Sequence, residues 1–273
     1  MIWFLGVRFY RAEGHRWSVV MTKWAVVIVV GSLLAGCSGP LDGTVSEEAI
    51  NTTLVQTAVA AEQSTDYDAA VGHFANLYEK NPEDLGILLG LARNLRYIGS
   101  PKKALEVLEQ AKGVDHRAAP FLVELGKVQI ASGRAADAKK TLSDVAKITP
   151  GDWEIYSRLG IADDLLGDFR SARRHYEKAL ELSTGNAIVI NNMALSVALS
   201  GDLDRGISVL ESAPSALRDN PQLRQNLALF YGVRGDAERA ETLARKDLEI
   251  DAVRNNLAVY SRIRSRGKAA TYQ

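Results

Sequence analysis

Apolar residues recur at intervals of three and four along most of the chain. Leu88, Leu91, Ala92 and Leu95 make one continuous stripe, and Ala104, Leu105, Leu108 and Ala111 make the next. This spacing predicts amphipathic helices, each burying one face. The stripes come in pairs, and the clearest pair is Tyr156 to Leu182, YSRLGIADDLLGDFRSARRHYEKALEL. Leu159 and Ala179 fall on the apolar faces, while Gly160 and Ala172 are small enough to let two helices approach closely. Gly167 is placed to end the first helix, because glycine alone accepts the left-handed conformation there at little steric cost. Asp168 follows where an N-cap side chain can serve the second helix. The segment reads as a helical hairpin.

The hairpin repeats. Gly99, Gly133, Gly167, Gly201 and Gly235 are each 34 residues apart. Two further columns keep the same step with small residues: Ala58, Ala92, Gly126, Gly160, Ala194 and Ala228, then Ala70, Ala104, Ala138, Ala172, Gly206 and Ala240. Leu91, Leu125, Leu159, Met193 and Leu227 form an apolar column that only Thr57 breaks. A 34-residue helix-turn-helix unit with these columns resembles the tetratricopeptide repeat (TPR). The resemblance covers residues 51–254 as six units starting near Asn51, Leu85, Ala119, Trp153, Ala187 and Pro221, with Pro82 and Pro150 at the closing-proline position. Thr65 in place of the turn glycine, Gly206 and Ala244 depart from the pattern. The fold implied is an all-α TPR solenoid, a right-handed superhelix of about six hairpins whose first helices line a concave face. Terminal units of such arrays need a polar cap. Residues 255–273 are expected to supply a capping helix and basic tail, the amphipathic stretch Asp251 to Arg266 carrying Leu257, Val259, Tyr260 and Ile263.

Composition changes this picture mainly at the N-terminus. Over all 273 residues, 33 basic and 33 acidic side chains balance, which disfavours a nucleic-acid partner. Residues 1–36 are expected to be a signal peptide. Met21-Thr22-Lys23 precedes the apolar run Trp24 to Gly36, which is shorter than the roughly 20 residues that cross a bilayer. Met21 is the better start, since residues 1–20 add a second apolar patch and Glu13 ahead of the signal. Leu34-Ala35-Gly36-Cys37 resembles the lipobox of bacterial lipoproteins, which implies cleavage before Cys37 and lipidation of its thiol. With Ser38 rather than Asp after it, the resemblance implies sorting to the outer membrane, on its periplasmic face. Cys37 is the sole cysteine, so no intramolecular disulfide is available. Residues 37–50, rich in Gly, Ser, Pro and acids, are expected to form a tether.

No catalytic set stands out. His15, His73, His116 and His175 are scattered, without metal-ligand spacing. Asp163 and Asp164 point about 100° apart on a helix, and Asp66 and Asp68 read as turn and N-cap residues. No cofactor, metal or small-molecule substrate is expected, and the chemistry left is binding. On first helices the positions expected to face a partner are Arg93, Arg96, Lys127, Asn191, Asn192, Gln225 and Asn226. Arg and Lys suit a carboxylate, and amides suit an extended peptide backbone. The competing reading is an ordinary solvated face. Asn192 and Asn226, one period apart, suggest a shared role on one ridge.

The C-terminal third narrows the resemblance. Asn191-Asn192-Met193-Ala194-Leu195, Arg224-Gln225-Asn226-Leu227-Ala228-Leu229 with Gly232 and Gly235, and Asn255-Asn256-Leu257-Ala258 are similar to TadD proteins of the tight-adherence (Tad, Flp pilus) secretion system. This resemblance implies an outer-membrane lipoprotein that acts as pilotin or assembly factor, with the pilus secretin or another Tad component as partner. A periplasmic scaffold for peptidoglycan enzymes and an outer-membrane protein assembly factor are the alternatives.

Overall fold

The computed structural model describes residues 47–217 and 219–270, with side chains from 51 to 266 apart from residue 218. The signal segment, Cys37 and most of the tether lie outside the described residues. The chain divides after Ile50, and the unit considered below runs from Asn51 onward.

All regular elements among the described residues are helical. The first helices of the six hairpins are α1 (Glu47–Gln63), α3 (Leu85–Tyr97), α5 (Ala119–Ala131), α7 (Trp153–Leu165), α9 (Ala187–Leu199) and α11 (Pro221–Arg234). The second helices are α2 (Tyr67–Lys80), α4 (Pro101–Gln110), α6 (Ala135–Ile148), α8 (Phe169–Leu182), α10 (Leu203–Glu211) and α12 (Ala237–Ala244). A last helix, α13 (Ile250–Ala270), closes the array. From Leu85 on, every first helix starts 34 residues after the previous one, and so does every second helix from Tyr67. Residues 47–50, expected in the tether, are instead the first turn of α1.

Local chemistry sets these boundaries. Asp84, Asp152, Asn186 and Asn220 accept N–H bonds at the starts of first helices, and Asp66, Asp168, Asp202 and Asp236 do the same for second helices. Each such cap is worth about 1 kcal/mol. Where the cap is missing at Ser100 and Ala118, a proline in the first two helical positions presets the backbone. Gly167 and its periodic equivalents all take positive φ, and Thr65 adopts the same left-handed turn at φ 63°. The missing glycine of the first unit therefore changes the strain of the turn and keeps its geometry. Second helices are less uniform: α6 and α8 run 14 residues, whereas α10 has nine. Pro214 falls where α10 would continue, and it has no N–H to give. The chain resumes as a short 3-10 turn, Ser215–Leu217.

Packing follows the two-layer logic of the hairpin. Each first helix from α3 to α11 touches the next first helix, and each second helix from α4 on packs between its own partner and the first helix that follows. Gly160 shows why small columns are needed: a Cβ there would sit 2.5 Å from the ring of Tyr176, which is buried against it. Gly126 makes the same room for Leu142. At the C-terminal end α13 packs on α11 and α12, with Val253 and Tyr260 buried and Leu257 and Ile263 half-buried. Leu257, Tyr260 and Ile263 of the expected stripe thus pack on the array together with Val253, while Val259 is not part of that cluster, and the helix extends four residues beyond Arg266.

Candidate partner-binding face

The inner layer of first helices carries polar side chains at positions where neighbouring repeats meet. In the N-terminal half they are charged. Arg93 on α3 clamps Glu62 on α1 with two hydrogen bonds, its Nη2 donating to Oε2 at 2.7 Å. The hydrogen bond from Arg93 holds the Glu62 carboxyl below the usual carboxylate range, against the opposing pull of burial. Arg96 stacks over Tyr97 at 4.7 Å and donates to Glu124 on α5 at 3.0 Å. Lys127 lies 3.8 Å from the other oxygen of Glu124. Burial, followed by the nearby Arg158 charge, depresses the Lys127 pKa. Arg158 on α7 bonds Glu154 one turn earlier at 3.1 Å. Burial grades this set. The Arg96 and Glu124 side chains are 10% and 6% exposed, Lys127 20% and Arg93 35%.

In the C-terminal half the same seam is made of amides and hydroxyls. Asn192 on α9 donates to the Ser157 hydroxyl on α7 at 3.3 Å, and Asn226 on α11 donates to Asn191 on α9. Asn191 and Asn226 are buried. Gln225 is buried too, with its Nε2 donating to Asp247 at 2.7 Å, and Arg224 binds the same carboxylate. The Arg224 hydrogen bond lowers the Asp247 pKa.

These placements correct part of the expected site. Arg93, Lys127 and Asn192 retain exposed surface, as a partner-binding residue needs. Asn191, Gln225 and Asn226 do not, because each spends its amide between helices of this chain. Arg96 is mostly covered by its pairing with Glu124. Asn192 and Asn226 do share a role, as the spacing suggests, but it is to tie one repeat to the preceding one. Replacing Asn226 would therefore bear on stability, because its loss strands a buried partner.

Sequence reasoning passed over Glu62, Glu124, Ser157 and Arg158. A periodic signal was available, since Glu124, Arg158, Asn192 and Asn226 form one polar column at 34-residue spacing. Three of the four reach back toward the preceding first helix, Arg158 bonding within α7 instead. The Asp163-Asp164 pair also holds more than expected. Asp163 is fully buried between Lys139, at 2.6 Å, and His175 Nδ1, at 2.7 Å. Asp164 accepts from the Tyr176 hydroxyl at 2.7 Å and from Ser196 on α9 at 2.6 Å. Burial outweighs those two bonds and pushes the Asp164 pKa up to about 6. The two carboxylates face different partners, as adjacent helical positions must. Among the described residues no group of three His, Cys, Asp or Glu is placed to hold a metal, and no helix is long and apolar enough to cross a membrane.

Known proteins match this arrangement at the level of repeat and fold. Residues 153–186 and 221–246 each match a tetratricopeptide-repeat family description. Over 136 residues, half of this chain, the sequence is 26% identical to the BBSome complex member BBS4 of Mus musculus, covering 26% of that protein. Over 87 residues, 30% of this chain, it is 33% identical to a photosystem I assembly protein Ycf3 of Prochlorococcus marinus, covering 50% of it. The chain thus spans half or less of these relatives. Among solved structures, a thermophilic TPR protein from Thermus thermophilus superposes with TM-score 0.57 at 21% identity, over 66% of this chain and 98% of that one. A tetratricopeptide repeat protein from Parabacteroides merdae gives TM-score 0.59 at 16% identity, over 79% and 88%. With hairpins of one period and these matches, the fold of the described residues is a tetratricopeptide-repeat solenoid, two of whose hairpins, within 153–186 and 221–246, match the repeat's family description.

Proposed function

We propose that the inner face binds an extended segment of a protein partner, and that Arg93, Lys127 and Asn192 make the contacts. One observation carries this reading. Along the N-terminal seam four cations, Arg93, Arg96, Lys127 and Arg158, face three carboxylates, Glu62, Glu124 and Glu154. Lys127 is desolvated without a close partner of its own, since Glu124 is already engaged by Arg96. An incoming carboxylate would relieve that cation, which favours an acidic or C-terminal segment. The solenoid supplies a continuous surface, and a scaffold needs no converging catalytic set.

The finer reading is a lipoprotein of the outer membrane, anchored through Cys37 on the periplasmic face, that helps the Tad pilus secretin reach the membrane or multimerise there. The L-A-G-C run and the R-Q-N-L-A-L segment support it. A general role in assembling complexes is in keeping with relatives named as a complex member and an assembly protein. The direct test compares secretin oligomers, resolved by gel from envelope fractions, in strains with and without this chain. Loss of oligomers is expected, and normal oligomers refute the pilotin role. Calorimetry with overlapping secretin peptides then tests the face itself: Lys127→Glu should abolish the binding that the wild-type chain shows.

A further inference from the structure

We propose that the C-terminal helix α13 is a second contact surface, which binds anionic phospholipid headgroups electrostatically. The chain as a whole is neutral, yet no Asp or Glu follows Asp251, while Arg254, Arg262, Arg264, Arg266 and Lys268 do. The charge is therefore segregated onto the last element. Folding does not neutralise it. Arg254 pairs with Asp251 at 3.5 Å, but no carboxylate pairs with Arg262, Arg264 or Arg266 among the described residues. Arg262 bonds only the Ala258 carbonyl of its own helix, at 3.3 Å. Arg264 lies over the turn at Gly235, where its charge also suits the C-terminal end of α11.

Shape selects the partner. The apolar stripe of α13, Val253, Leu257, Tyr260 and Ile263, is already used against α11 and α12, so that stripe is not available to insert into a bilayer core. What remains outward is a bulging helical surface on which Arg262 and Arg266, four residues apart, share one side and are exposed. A rounded basic surface meets a sheet of anionic headgroups more fully than it meets a single peptide, which needs a groove to bury its backbone. Each basic side chain near such a surface adds attraction that decays within a Debye length, so the contact is reversible and salt-sensitive. The proposal rests on the membrane-anchored reading above, since only a membrane-bound chain would meet such a surface routinely. In that setting α13 would hold the far end of the solenoid toward the bilayer while the inner face engages its partner.

The experiment is sedimentation of the full chain with vesicles of phosphatidylcholine alone or with added phosphatidylglycerol. Residues 1–36 are themselves basic, so the comparison of the wild type with a variant altered only in α13, on both vesicles, is what isolates the helix. The wild-type chain should gain at least about tenfold in partitioning on the anionic vesicles, a gain that fades as salt is raised. The variant R262Q/R266Q/K268Q, which spares Arg264 and its contact with α11, should bind neutral vesicles as before and lose that gain. Its far-ultraviolet circular dichroism and melting temperature should match wild type. Equal binding of the wild-type chain to both vesicles overturns the proposal, as does a variant that keeps the gain. Preference for a polyglutamate peptide over anionic vesicles also overturns it, assigning the patch to an acidic protein. The anchor is read independently, from the intact mass of the Cys37 peptide, so a failure of one leaves the other standing.

Discussion

The two halves of the inner seam solve the same packing problem with different chemistry. Between α3 and α5 the junction is an ion pair, Arg96 with Glu124, and between α9 and α11 it is an amide pair, Asn226 with Asn191. Both pairs are buried, so both hold repeats in register. The halves differ in what surrounds the pair. The charged half has further cations, Arg93 and Lys127, that keep part of their surface exposed beside it, whereas in the amide half the adjacent Arg224 and Gln225 are both engaged by Asp247. Burial, more than charge, separates a residue that serves the fold from one that can serve a partner. That distinction can be broken or sharpened by mutation.

The largest effect is expected at Arg96. Replacing it with Met keeps the packing of its stem but leaves Glu124 buried with only Lys127, 3.8 Å away, and should cost about 3 kcal/mol. Chemical denaturation measures this, and adding Glu124→Gln should restore most of the loss. A loss below about 1 kcal/mol, the range of solvated pairs, would place this junction among surface ion pairs and break the comparison.

Asn226→Ala comes next, at about 2 kcal/mol, since it removes the donor to a buried Asn191 carbonyl. Asn192→Ala, whose bond to Ser157 is long and half-buried, should cost clearly less. Equal losses at the two would contradict the burial argument.

A smaller effect is tied to pH. The Asp164 carboxyl, at about 6 in the fold against 3.8 for an ordinary aspartate, keeps its proton in the native state after the unfolded chain has released it. Its contribution to stability therefore falls as pH rises from about 4 to 6, by about 1–2 kcal/mol after allowing for partial exposure. Carboxylates elsewhere that partners hold low, such as Glu62 and Asp247, slope the other way, so the readable quantity is the difference between the wild type and Asp164→Asn. That difference should grow in favour of the Asn variant between pH 4.5 and pH 7. A constant difference would show that Ser196 and Tyr176 offset the burial of Asp164 completely.

Much of the fold was legible because the repeat makes each position count several times. One glycine is a weak signal, but five at one spacing fix the turns, and the helices begin where those columns place them. Asp66 and Asp168 were legible as turn and cap residues ahead of second helices, and the same column places Asp202 and Asp236 in that role. The shortening of α4 and α10 was less legible, since it depends on single residues such as Pro214 that no column repeats. The candidate face was legible in residue type and not in burial. An Asn at a given step of a first helix can point to solvent or across to the preceding repeat, depending on how closely the two helices approach. Asn226 and Asn192 occupy equivalent steps and differ in this respect. Glu62 and Glu124 went unnoticed because the partner of an interhelix ion pair lies 31 or 28 residues away, outside any helical pattern.

The smallest stability effect is expected at Arg93, and it is the most informative about binding. Its pair with Glu62 is partly exposed, so Arg93→Ala should shift stability by less than about 1 kcal/mol. Glu62 nonetheless occupies the guanidinium that an acidic ligand would need, and so acts as a competitor built into the chain. Removing the competitor should strengthen binding, and removing the cation should weaken it. Calorimetry with an acidic peptide is therefore expected to show opposite changes: a few-fold tighter binding for Glu62→Gln and a few-fold weaker binding for Arg93→Ala. A merely structural pair would move both variants the same way, through stability. If neither variant changes affinity while Lys127→Glu still abolishes it, the ligand lies closer to α5 and α7 than to α1 and α3, and the open part of the charged seam is shorter than its exposure suggests.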